Sequence, residues 1–244
     1  MPDVSKFAHL VRPTMLSGLC VMVPVPFLDE VLLRRVRKGM IHGILQKRGI
    51  EFDPAVIRPV YTGLPGGCLE KAFGLVFKGI TTILRKLLRT VLFFLAIRAS
   101  AVAMMETLLI GRTLNRVLAG ETPANLPLTK EEAQRIRTAF EEALSGSDRR
   151  ILVRSMKAGW RHVGGIRHLG KALAGRFRKG GEGDEIRTED LDPEELAAVE
   201  QGSADLEREL EKREVRTFLS DFDGRFDASL DRLRGALETR SESE

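Results

Sequence analysis

At 244 residues, with 43% hydrophobic and 30% charged side chains, the chain is long enough for one large domain or one domain with appendages, and its composition is compatible with a folded core. Two cysteines, Cys20 and Cys68, are too few for a disulfide framework and lack CxxC spacing, so both read as buried reduced thiols. The net charge of +5 hides segregated blocks: residues 1–120 carry 17 basic and 7 acidic groups, residues 149–181 carry 10 basic and no acidic groups, and residues 182–214 carry 14 acidic against 4 basic. Neighbouring blocks of this kind attract each other or serve different partners.

Aromatic residues make up only 6% of the chain, and no run of β-branched and aromatic residues alternates over five positions. Apolar residues recur instead at steps of three and four, the helical period, which predicts an all-α fold. In chain order, residues 1–27 read as irregular, closing on Val23-Pro24-Val25-Pro26, because prolines one residue apart cannot sit inside a helix. Lys6 and Arg12 precede an apolar stretch. Three prolines interrupt it, no small-residue cleavage site follows before Asp29 and Glu30, and Leu19 stands where a lipoprotein signal needs a small residue. The expectation is a cytosolic chain.

Asp29 is the expected N-cap of a helix over 30–48 closed by Gly49 at C′. Its apolar positions are Leu32, Leu33, Val36, Met40, Ile44 and Leu45, with Arg34, Arg35, Arg37 and Lys38 mostly opposite. Asp53-Pro54 opens a short turn that Pro59 is expected to stop. Residues 62–67 read as a joint, since Gly63-Leu64-Pro65-Gly66-Gly67 lacks the lysine and hydroxyl of a phosphate-binding loop.

No proline occurs from 68 to 119, the most hydrophobic part of the chain, where Lys71, Lys78 and Arg85 recur every seven residues as a basic stripe. Residues 91–110 contain only Arg98 and Glu106 as charges and are long enough to cross a bilayer. Each mid-membrane charge costs about 2.5–3.5 kcal/mol on insertion scales, which cancels most of the apolar gain. A shallow membrane hairpin or a buried core helix suits these charges better than a single span.

Residues 121–128, with Pro123 and Pro127, read as a linker. Thr129 and Glu132 predict a capping box for a helix that stops at Ser145-Gly146. Asp148 then caps a basic stretch over 149–179, where Leu152, Met156, Trp160, Val163, Leu169, Leu173 and Phe177 interleave with ten cations. Such segments bind anionic membrane surfaces, and Trp160 suits the headgroup layer. They also contact nucleic-acid phosphates, and the plainest alternative is a solvated face neutralised by the acidic block that follows. Asp192-Pro193 with Glu195 starts a further helix. Leu206, Leu210, Val215, Leu219, Phe222, Phe226, Leu230, Leu233 and Leu237 form a last amphipathic seam, expected to break near Gly224.

The catalytic inventory is poor. His9, His42, His162 and His168 show no metal-ligand spacing. Asp221-Phe222-Asp223-Gly224 resembles the aspartate motif of haloacid-dehalogenase-type phosphatases. That motif follows a buried strand near the start of a domain, whereas here a charged helical run precedes it and 20 residues follow. An EF-hand fails at Arg225, which supplies no oxygen ligand. The motif reads as a helix break or cap.

Residues 18–120 resemble an uncharacterised bacterial family of helical, membrane-associated domains often fused to, or encoded beside, small GTPase domains. Pro24, Pro26, Asp29, Leu33, Met40, Ile41 and Gly49 carry the resemblance, and Arg37 stands where that family commonly has a glutamine. The resemblance implies membrane association and a protein partner, and no activity. The combined expectation is a non-enzymatic peripheral or monotopic adaptor on the cytoplasmic side of a membrane, needing no cofactor or metal. Residues 1–120 would form a hydrophobic helical domain, 129–181 a basic region and 182–244 an acidic, amphipathic one. The residues expected to meet the anionic surface are Lys71, Lys78, Arg85, Arg149, Arg150, Arg154, Lys157, Trp160, Arg161, Arg167 and Lys171, with Asp29 a structural cap. A soluble nucleic-acid-associated protein using the 149–179 patch is the alternative.

Overall fold

The computed structural model describes residues 8–22, 28–50, 53–62, 82–119, 129–159 and 185–241. Among them lie eight α-helices and no strand, so the all-α expectation holds. They are α1 (Ala8–Val21), α2 (Leu28–Lys47), α3 (Pro54–Tyr61), α4 (Thr82–Ala119), α5 (Lys130–Ser145), α6 (Arg150–Gly159), α7 (Pro193–Leu210) and α8 (Arg213–Ser241), with a 3₁₀ turn at Thr188–Asp190.

The first correction is α1. Residues 14–20 are buried without interruption, so this helix is enclosed on all sides rather than irregular. Pro13 sits inside it. The small residues Ser17 and Gly18 take part in its packing: the Ser17 hydroxyl donates to the Thr14 carbonyl at 2.7 Å, and Ser100 of α4 donates to the Gly18 carbonyl at 2.9 Å. Helices α2, α4 and α7 all pack on α1.

Helix α2 starts at Leu28, so Asp29 lies in its first turn rather than before it. Burial pushes the Asp29 carboxyl up, against the opposing pull of the backbone N–H groups of Glu30 and Asp29. At the other end Gly49 has φ 65°; its N–H donates to Gln46 and the Ile50 N–H to Leu45, a Schellman cap as expected. Leu32, Val36, Met40, Ile44 and Leu45 are buried, but so are Arg35 and Arg37, which corrects the reading of that cluster as the outer face. Helix α3 continues through Pro59 to Tyr61, with Asp53 accepting the Ala55 N–H at 2.8 Å.

Helix α4 has 38 residues, about 57 Å at 1.5 Å per residue. From Ser100 to Leu114 it is a core helix, with Met104, Met105, Leu108 and Leu109 almost fully enclosed. Arg48 donates to the Leu118 carbonyl at 2.7 Å and to that of Asn115 at 3.2 Å, placing a cation at the α4 C-terminus. No described helix is long and apolar enough to cross a membrane.

Thr129 caps α5 by accepting the Glu132 N–H, but the Glu132 carboxylate pairs with Arg135 and Arg234 instead of closing a capping box. At α7 the box is complete between Asp192 and Glu195. The last seam breaks between α7 and α8, at Glu211 and Lys212, and α8 runs unbroken through Gly224. Phe222 and Phe226, one turn apart and each 1% exposed, hold α8 to the core across that glycine. Phe222 meets Phe140 of α5 edge-to-face at 5.9 Å. One hydrophobic cluster takes residues from α1 to α8, on both sides of segment 121–128.

Candidate functional site

Asp148 accepts the Arg150 N–H at 3.1 Å and so starts α6. Leu152, Ser155, Met156 and Gly159 of this helix are buried. Arg150, Arg154 and Lys157 are exposed, and positions i, i+4 and i+7 share one face, so the three cations form a stripe about 10 Å long. No described carboxylate pairs with any of the three. Arg149, also exposed, turns back instead and donates to the Leu144 carbonyl at 3.3 Å.

The acidic block offers them no ion pair among the described residues. Its carboxylates serve other tasks: Glu185 meets His42 and Arg187, Asp190 accepts the Arg187 N–H, Glu200 meets Arg12, and Glu209 meets Lys212. Helix α7 of that block lies against α6 through apolar packing, with Gly159 beside Leu206. Of the other residues expected to meet an anionic surface, Lys71, Lys78, Trp160, Arg161, Arg167 and Lys171 lie outside the described residues. Arg85 is on α4, but its side chain is likewise outside them.

Buried ion pairs are the polar feature that sequence reasoning missed. Arg37 is 6% exposed and donates to Glu106 at 2.8 Å and to the Thr107 hydroxyl at 3.1 Å. Burial lowers the Arg37 pKa from its ordinary value, with Glu106 opposing. Arg112 forks onto Asp223 at 2.9 and 2.6 Å, and toward solvent Arg116 forms an exposed pair with Asp227. Asp223 of the Asp-Phe-Asp-Gly motif is thus a mid-helix ion-pair partner, neither a break nor a cap. Glu106, a single acid in a long apolar run, was the one visible sign that a cation had to be found for it.

Among the described residues no cluster of histidine, cysteine and acidic side chains could hold a metal ion. The Cys20 thiol is enclosed and pushed up to about 12 by burial, next to the charge of Asp29. The segment Glu185–Arg187 crosses α2 at Gly39, where an added Cβ would lie 2.7 Å from the Ile186 carbonyl. His42 Nδ1 meets Glu185 there.

Both described histidines have lowered pKa values. Burial is the main cause in each, aided at His9 by Lys47 and Arg48 and opposed at His42 by Glu185. The unfolded chain therefore takes up protons near pH 6.5 while the folded one resists, so stability is full above that value and falls as the pH drops through it. Thermal melts from pH 7.5 to 5.5 should show this decline, and the double variant His9→Gln, His42→Gln should flatten it.

Comparison with known proteins finds no family model that matches the chain, no curated protein similar to it and no similar solved structure.

Proposed function

We propose that this protein is a non-enzymatic adaptor that binds an anionic membrane surface peripherally from the cytoplasmic side and presents its helical body to a protein partner. The observation that carries this reading is the outer face of α6, where Arg150, Arg154 and Lys157 are exposed and make no ion pair with any described residue, while the opposite face is built into the core. A cation held near an anionic leaflet contributes about 1 kcal/mol, and rigid presentation on a packed helix lowers the ordering cost. The sequence supports the same reading, because residues 160–179 add six more cations and no acid. On α4, Leu95 is 46% exposed and Arg98 is exposed nearby in sequence, a pairing suited to a headgroup boundary. The finer pattern of hydrophobic helices followed by charged amphipathic ones, and the likeness of residues 18–120 to membrane-associated helical domains, belong to this proposal.

The test is the triple variant Arg150→Gln, Arg154→Gln, Lys157→Gln. Three exposed cations at about 1 kcal/mol each predict a loss of partition onto phosphatidylserine vesicles on the order of a hundredfold at low salt. The melting temperature should stay nearly unchanged, since no buried partner is left behind. Undiminished partition would remove α6 as the binding face. Tighter binding to duplex DNA than to vesicles, lost in the same variant, would move the assignment to nucleic acid.

A further inference from the structure

Helices α1, α4, α7 and α8 meet around a cleft of about 250 Å³ that opens over the edge of the hydrophobic cluster, away from the basic face. Its floor is apolar: Val11, Leu108, Leu210 and Leu219 line it, all less than 10% exposed. One wall is the Arg112–Asp223 fork, with Arg116 beside it turned to Asp227. Those guanidiniums are already held. The lining also includes the Arg216 guanidinium, the Glu207 carboxylate and the Ser220 hydroxyl. Arg216 and Ser220 are exposed and Glu207 is half-buried, and no described residue makes a hydrogen bond or ion pair with any of these three side chains.

Two charges of opposite sign thus stand over an apolar floor, each with hydrogen-bonding capacity that no described residue uses, and not bonded to each other. Every other charged group lining the cleft has its counter-ion. A simple anion would answer Arg216 and be repelled by Glu207, and a simple cation would meet the reverse difficulty. A small zwitterion with an apolar body answers both ends and the floor. The volume, against about 30 Å³ per water in the liquid, admits on the order of eight water-sized groups, the scale of an aliphatic amino acid.

We infer that this cleft binds a small aliphatic α-amino acid or a zwitterion of the same chemistry, with its carboxylate on Arg216, its ammonium on Glu207 and its side chain on the floor formed by Val11, Leu108, Leu210 and Leu219. A guanidinium fork suits a carboxylate, and the Ser220 hydroxyl gives the head a second donor. The site is independent of the membrane reading, because none of its residues lies on α6.

The probe is leucine, titrated calorimetrically into the full chain beside alanine, 4-methylpentanoate and 3-methylbutylamine. Leucine is expected to bind saturably at one site, more tightly than either molecule carrying only one of its charges. Affinity should rise about fourfold per methylene from alanine to leucine as the floor is covered. Arg216→Gln should weaken leucine about tenfold or more, the scale of a lost charged hydrogen bond, and Glu207→Gln should bring leucine down to the level of 4-methylpentanoate. Both positions lie outside the buried core, and unchanged circular dichroism will show that the variants fold. Absence of saturable leucine binding, or binding that neither variant alters, would overturn the site. Equal affinity for leucine and 4-methylpentanoate would overturn the zwitterion assignment.

Discussion

Glu106→Ala is expected to destabilise the protein by about 3 kcal/mol, near the lower end of what breaking a buried ion pair costs. The magnitude follows from which partner remains. Arg37 is left 6% exposed between α2 and α4, with the Thr107 hydroxyl as its remaining partner at 3.1 Å. The Glu106 side chain is itself 31% exposed, so water can reach its former place and the cost stays below that of a fully dry pair. Arg37→Met alone should cost less, because it leaves a carboxylate that has access to solvent. Combining Arg37→Met with Glu106→Leu should recover most of the loss, as apolar replacement of buried pairs often does. Chemical denaturation of the four chains checks this, and simple additivity of the two single changes would show that the pair is not coupled.

Phe222→Ala should be costlier, about 3–5 kcal/mol, the range for removing a buried aromatic ring. Phe222 is 1% exposed and packs edge-to-face on Phe140, so the change opens a cavity between α5 and α8. Its reach along the chain is informative. One hydrophobic cluster joins α1 to α8, so loss of this ring should lower the whole molecule's stability in one transition. Hydrogen exchange should report this as weaker protection of α1 amides, although α1 packs chiefly on α2, α4 and α7 rather than on the helix that carries Phe140. Protection of α1 unchanged in the variant would mean that the two ends of the chain unfold independently.

The parts legible in the sequence were those governed by local rules. The Thr129, Asp148 and Asp192 caps, the Schellman glycine at 49 and the stop at Ser145-Gly146 each depend on a few adjacent residues, and each is in place. The apolar seam of α8 was legible because one face is buried and the other wet. Helix α1 was not, because an enclosed helix shows no amphipathic period and Pro13 argued against it. Pro59 misled in the same way at α3, where burial of Ile57 and Val60 outweighs the missing N–H. Gly224 read as a break because glycine is a poor helix former, yet Phe222 and Phe226 on either side bind that turn to the core. The true break at Glu211 and Lys212 carries neither proline nor glycine. Arg37–Glu106 and Arg112–Asp223 join residues 69 and 111 apart, and no spacing rule connects such positions. Of the candidate site, composition gave the block of cations, and the fold added which face of α6 they occupy.

The most direct test of the membrane reading is co-sedimentation of the unmodified chain with vesicles of phosphatidylcholine alone or with phosphatidylserine, at low and moderate salt, with duplex DNA as competitor. Binding is expected only when phosphatidylserine is present, weakening as salt shortens the range of the α6 charges and not displaced by DNA at equal charge. Equal recovery in the supernatant with both kinds of vesicle at low salt would contradict it.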